Sequence, residues 1–152
     1  MPEAISLGAK RRRSGIPSGN AGEYFVMGEL LRQGLDAQLA DRNTKGYDIL
    51  VGQPQDSQLR KIQVKTVRTP PWYVKQGDFT TGHIVPVTVY VLLGPPEATT
   101  PIRYFIAPNA AVAPALFVPS NGKWTVNGFM PLKAFLPYEN AWRRIFAEGA
   151  KV

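Results

Sequence analysis

Cysteine is absent from the 152 residues, and histidine occurs once, at His83. The first absence excludes disulfides and thiolate metal centres, and points away from a cross-linked secreted scaffold. The second excludes a histidine-rich zinc site. Any metal must therefore be held mainly by oxygen, which suits magnesium or manganese. No apolar run is long enough to cross a bilayer. The basic cluster near the N-terminus is not followed by the apolar segment of a signal peptide. The expectation is a protein with no membrane partner and a cytoplasmic location. Acidic side chains are also scarce: 11 Asp and Glu stand against 18 Lys and Arg, a net charge of +7.

What is present is ordinary for a globular chain, with 44% hydrophobic and 19% charged residues. The length fits one domain that buries a core without staples. Residues 1–18 read as a flexible basic arm, in which Lys10, Arg11, Arg12 and Arg13 are surrounded by Gly8, Ser14, Gly15, Pro17 and Ser18. That arm serves either to track phosphates or simply as a solubilising terminus. Residues 19–152 read as a single domain without internal repeats. The basic excess continues beyond the arm, a balance that favours polyanion partners, although solubility alone would also account for it.

Periodicity supplies the elements. Tyr24, Met27 and Leu31, with Val26 and Leu30, recur at helical spacing between Asn20 and Gln33, with Ser18 or Asn20 as cap and Gly34 as the C-terminal stop. Residues 35–40 read as a short strand, 47–51 as a compact strand containing Asp48, and 59–67 as an alternating strand. In the last, Ile62 and Val64 face one way and Lys61, Gln63 and Lys65 the other. The turn at 52–58 makes the latter two strands an antiparallel hairpin. Further strands are expected at 85–93 and 103–107, a short helix at 109–117, a short strand or turn at 123–126, and helices at 132–136 and 139–148, separated by Pro137. The expected architecture is α/β, with one mixed central sheet flanked by helices.

Four residues carry candidate chemistry: Glu23 on the first helix, Asp48 on the next strand, and Gln63 with Lys65 two apart on the strand after it. The hairpin brings Asp48 near Gln63 and Lys65. Phosphodiester hydrolysis asks for a hard divalent ion and a cation at the phosphate. Asp48 suits the central metal ligand, Gln63 a neutral carbonyl ligand, and Glu23 a direct or water-mediated one. Lys65 suits charge on the phosphate or the orientation of water. A Q-x-K on a strand or a glutamate on a helix means little alone. Asp48 in an apolar run carries more, because a carboxylate there needs a partner or a metal.

The segments Gly19–Asn20–Ala21–Gly22–Glu23, Gly46–Tyr47–Asp48–Ile49 and Ile62–Gln63–Val64–Lys65–Thr66 resemble the PD-(D/E)XK nuclease superfamily, over about residues 19–68. The similarity is to the branch of Holliday-junction resolvases and Mrr-like restriction endonucleases. The resemblance implies a restriction-endonuclease-like sheet, a magnesium-dependent DNA endonuclease, and a homodimer if both strands are cut. It assigns the helix glutamate, strand aspartate and following (D/E)-X-K to Glu23, Asp48, Gln63 and Lys65. Position 63 departs from the usual acid, though Mrr-like members share glutamine there. Gly46–Tyr47 replaces the proline-containing approach to the aspartate. The glutamine keeps a second reading alive, a nuclease-fold protein that binds nucleic acid or regulates without cutting.

Lys45, Lys61 and Arg68, with Arg60, are candidates for flanking phosphates, against ordinary solvated charge. Trp72, Tyr73 and Lys75 sit in what reads as a Pro-rich loop. They serve either to stack on bases or to plug the sheet edge, and the plug is the favoured reading. Gly19 and Gly22 suggest a helix start lying close to a phosphate. His83 reads as structural or exposed.

Overall fold

In a computed structural model, the described residues are 16–41, 43–44, 46–55, 57–80 and 86–147. Most of the basic arm, together with Lys45 and His83, lies outside them. Helix α1 spans Ile16–Arg32. It begins four residues before the expected Asn20, so Ser18 and Asn20 are helical and do not cap it. Pro17 is compatible with this start, because the N–H it lacks has no partner in a first turn. The helix stops as expected. Leu35 N–H donates to Leu30 O at 3.1 Å and Gly34 N–H to Leu31 O at 2.9 Å, closing its C-terminal carbonyls.

Five strands form the main sheet: β1 (Asp36–Leu39), β2 (Ile49–Gly52), β3 (Leu59–Val67), β5 (Val87–Leu92) and β6 (Arg103–Ile106). They lie in the order β1-β2-β3-β5-β6. All neighbours are antiparallel except β3 and β5, whose parallel pairing makes the sheet mixed. A second, two-stranded sheet pairs β4 (Trp72–Lys75) with β7 (Asn127–Met130). The crossover from β3 to β5 thus contains a strand where a loop was expected.

Alternation along the strands builds two cores. On one face Val26 and Leu30 of α1 pack with Ile49, Val51, Ile62, Val89, Val91 and Ile106, closed by Ile145. On the other, Tyr90 and Phe105 join Trp72, Val74, Val112, Met130 and Phe135. Val89 and Tyr90, adjacent on β5, serve opposite cores as the pleat requires. The α1 face comes close to the sheet at Gly22. A Cβ there would overlap the Thr66 hydroxyl and lie 2.9 Å from the Thr66 Cβ and Cγ2. Glycine is needed here for space, and its role is helix-to-strand approach rather than the phosphate contact suggested by its position. Gly19 faces open space.

The remaining departures follow from proline and backbone conformation. The helix expected at 109–117 is α2 (Asn109–Val112) followed by a 3-10 turn at Ala113–Ala115, where Pro114 lacks the N–H to continue it. Residues 123–126, expected as a short strand or turn, form no strand and lead directly into β7. After α3 (Leu132–Phe135), Pro137 falls in a 3-10 turn and Asn140 adopts φ 55°. The expected helix from 139 is therefore a 3-10 turn over Trp142–Phe146. No helix among the described residues is long and apolar enough to cross a membrane.

Candidate active site

Asp48 lies immediately before β2 rather than within it, at the point where the chain enters that strand. Its backbone is held on both sides: its N–H donates to Ile62 O, and its carbonyl accepts from Ala40 N–H, both at 2.8 Å. Gly46, two residues before Asp48, has φ 93°, a left-handed conformation that favours glycine. The next N–H of β3 pointing to this side, that of Val64, has no backbone partner from β2. The Asp48 carboxylate takes its place, with Oδ2 accepting from Val64 N–H at 2.7 Å. A side chain thus replaces one rung of the ladder, and this fixes the carboxylate beside the middle of β3. The β2–β3 register runs from Gly52 opposite Leu59 to Ile49 opposite Ile62, and Asp48 follows beyond it, bonded to both Ile62 and Val64.

Glu23 meets Asp48 from α1. Burial raises the Glu23 pKa above the ordinary 4.5, and the charge of Asp48 and a hydrogen bond shared with it raise it further. Two carboxylates in contact repel unless one is protonated or a cation lies between them. Gly22 makes the meeting possible, since it lets the first half of α1 approach β3 one residue before Glu23. Glu23 on the helix and Asp48 at the entrance to β2 are therefore brought together.

Gln63 and Lys65 flank Val64, the residue anchoring Asp48, and both are half-buried. Alternation puts them on the sheet face opposite Ile62, Val64 and Thr66. The Lys65 carbonyl accepts from the Trp72 indole N–H at 3.2 Å, tying this part of β3 to the start of β4. Lys61 is exposed, its ammonium 5.1 Å from the Tyr47 ring centre, within cation–π range. Arg68 donates to Gly94 O at 3.3 Å, a backbone contact that holds the exit of β3. Arg60 is buried, with its guanidinium near Gln58 and Phe146, so it is a core residue and not a free phosphate ligand. Trp72 is buried at 1% exposure and is a plug, while Tyr73 points outward at 58%. The anchoring role of the Val64 N–H had no signal in side-chain identity, because it belongs to the backbone.

No group of three or more His, Cys, Asp and Glu side chains that could hold a metal occurs among the described residues. The donors that do converge are the carboxylate oxygens of Glu23 and Asp48, and two carboxylates side by side favour a cation between them. This chemistry fits a hard divalent ion completed by neutral oxygen or water.

The five-stranded mixed sheet and the helix packed across β3 form a restriction-endonuclease-like fold. The fold is similar to that of the bacterial homing endonuclease I-Ssp6803I, with a TM-score of 0.56 and 16% identity over 91% of this chain and 96% of that one. It also matches Archaeoglobus fulgidus Hjc, a Holliday junction resolvase from an archaeal hyperthermophile, with a TM-score of 0.45 and 19% identity over 80% of this chain and 88% of that one. No protein-family profile and no curated protein sequence matches the chain.

Proposed function

We propose that this protein is a magnesium- or manganese-dependent endonuclease that hydrolyses DNA phosphodiester bonds. The observation that carries the reading is the contact of Glu23 and Asp48 where β2 leaves β3, with Asp48 locked to Val64 N–H at 2.7 Å between Gln63 and Lys65. Glu23 and Asp48 supply anionic oxygens, and Gln63, whose side chain leaves β3 on the opposite face, would add its carbonyl oxygen from the other side of the gap beside Asp48. A divalent ion bound there supplies polarisation of the phosphate and a lowered pKa for water. Lys65 offers a cation to the charge that develops on the phosphate. Lys45 and Lys61 neutralise flanking phosphates, whereas Arg68 acts mainly through its backbone contact. A homodimer is the assembly that would cut both strands.

The test is calorimetric titration with magnesium and with manganese, paired with nicking of supercoiled plasmid. Wild type is expected to bind the ion and nick. Asp48→Ala should lose both, and Lys65→Ala should lose nicking while retaining the ion. A wild-type protein that neither binds the ion nor nicks would overturn the reading. The two-carboxylate set with a neutral glutamine favours one alternative, a nuclease-fold protein that holds nucleic acid without cutting. That alternative predicts salt-dependent DNA binding with the plasmid left intact.

A further inference from the structure

The β4–β7 ribbon has a buried face and an open one. Trp72 and Val74 point inward, so Tyr73 and Lys75 share the outer face. Tyr73 lies opposite Phe129, and Phe129 in turn lies opposite Phe117. Residues directly opposite in an antiparallel ladder project to the same side. Three aromatic rings therefore form a row across the ribbon, and Trp124 lies beside it. The Trp124 ring centre is 5.9 Å from that of Tyr73 and 5.0 Å from that of Phe129, and Tyr73 is 5.6 Å from Phe129. The rings are tilted rather than stacked on one another, and Tyr73 and Phe117 remain 58% and 61% exposed. The turn carrying Trp124 is fixed from beneath: Gln76 Nε2 donates to Trp124 O at 3.0 Å and to Asn127 O at 2.9 Å. This is a built aromatic surface on a rigid support.

Its charge is of one sign. Lys75 and Lys123 are exposed at its edge. No Asp or Glu occurs between residues 57 and 77 or between 98 and 138, the two stretches that form the ribbon and its surroundings. The next acid along the chain, Asp78, acts on the buried Tyr90 hydroxyl. A second copy of the chain docked here about a two-fold axis would bring the lysines of both copies together with no acid to offset them. A polyanion with exposed rings has the complementary chemistry.

We propose that the outer face of the ribbon is a stacking platform for unpaired bases of a DNA strand. Bases lie on Tyr73 and its aromatic neighbours while Lys75 and Lys123 meet the phosphates. The platform is joined directly to the candidate active site, because Trp72, next to Tyr73, holds the Lys65 carbonyl. It deepens the nuclease reading, and rests on it, by naming the substrate class as DNA with unpaired or opened bases.

The test is fluorescence anisotropy of labelled oligothymidylate with the full chain in the absence of divalent ions, where no cutting occurs. Wild type is expected to bind, more weakly as salt rises. Tyr73→Ala should weaken binding about tenfold, the size of one lost base–aromatic stack. Tyr73→Phe should bind like wild type, which separates stacking from misfolding. Equal binding by wild type and Tyr73→Ala overturns the platform. Tighter binding of a duplex of equal length, or of oligouridylate, overturns the assignment to unpaired DNA. Conversion of a dimer to a monomer by Tyr73→Ala, with oligothymidylate binding unchanged, assigns the face to self-association instead. Tyr73-dependent binding in a protein that never nicks plasmid supports the platform while removing the nuclease reading.

Discussion

The two faces of the central sheet are built from different chemistry. The α1 face is aliphatic, with Val26, Leu30, Ile49, Val51, Ile62, Val89 and Val91. The opposite face is aromatic: Trp72 meets Tyr90, Phe105 and Phe135 edge-on, and Tyr90 stacks on Phe135 at 4.1 Å. Small branched side chains let a helix lie close enough for Gly22 to touch Thr66, and this places a glutamate against an aspartate. Large rings instead hold a ribbon away from the sheet by their own width, and their edge-to-face contacts fix its orientation. The first face thus presents a short-range constellation and the second an extended surface. One strand, β3, serves both, because alternate residues project to opposite sides.

Removing the central ring should break the comparison most severely. Trp72→Ala would cost about 3–5 kcal/mol, as expected for a buried tryptophan, and would also leave the Lys65 carbonyl without its indole donor. Urea unfolding measures the loss, and hydrogen exchange should show the β4–β7 pairing opening before that of β2–β3. Simultaneous opening of both sheets would mean that the two faces are not separable units.

The aliphatic face is tested at its tightest point. Gly22→Ala forces α1 outward against Thr66 and should cost about 1–3 kcal/mol, the usual price of overpacking. Thr66→Ala alone should cost little, because the Thr66 hydroxyl is buried without a hydrogen-bond partner among the described residues. Combined with Gly22→Ala, it should recover part of the loss. A double-mutant cycle in denaturant measures the coupling. Strictly additive effects would mean that the helix already has room.

The smallest expected effect separates a site from a core. Glu23 holds its proton more tightly in the folded chain, through burial first and Asp48 second. Its contribution to stability is therefore complete below the ordinary value of 4.5 and is lost as pH rises through the raised folded value. At pH 7, without divalent ions, Glu23→Gln should be more stable than wild type by only a few tenths of a kcal/mol, since much of the group faces solvent. The gain should vanish in acid and reverse under saturating magnesium, which stabilises only the form that binds it. Thermal unfolding at the two pH values, with and without the ion, reads all three outcomes. A variant less stable than wild type at pH 7 without the ion would contradict the raised pKa.

Much of the first half was legible in the sequence. Strand β3 occupies the expected 59–67, because nine residues of alternating character leave little freedom of register. The stop at Gly34 and the pairing of 49–52 with 59–62 are local consequences of glycine and of a turn-rich segment. The second half was read less well. Val74, Gln76 and Met130 make sense only through partners far away in the chain, and Trp72–Lys75 looked like a loop because prolines precede it.

The candidate site divides along the same line. Residue types and spacing pointed to Glu23, Asp48, Gln63 and Lys65, since a strand of period two and a helix of period 3.6 constrain which side chains share a face. The sequence by itself determined those elements, their order and the basic, cysteine-free chemistry of the surface. Tertiary structure alone decided that Asp48 takes the place of a missing backbone rung at Val64, that Glu23 reaches it, and that Trp72 turns inward while Tyr73 turns out. The reason is physical. These facts depend on backbone groups and on contacts between segments distant in the chain, which no local pattern of side chains encodes.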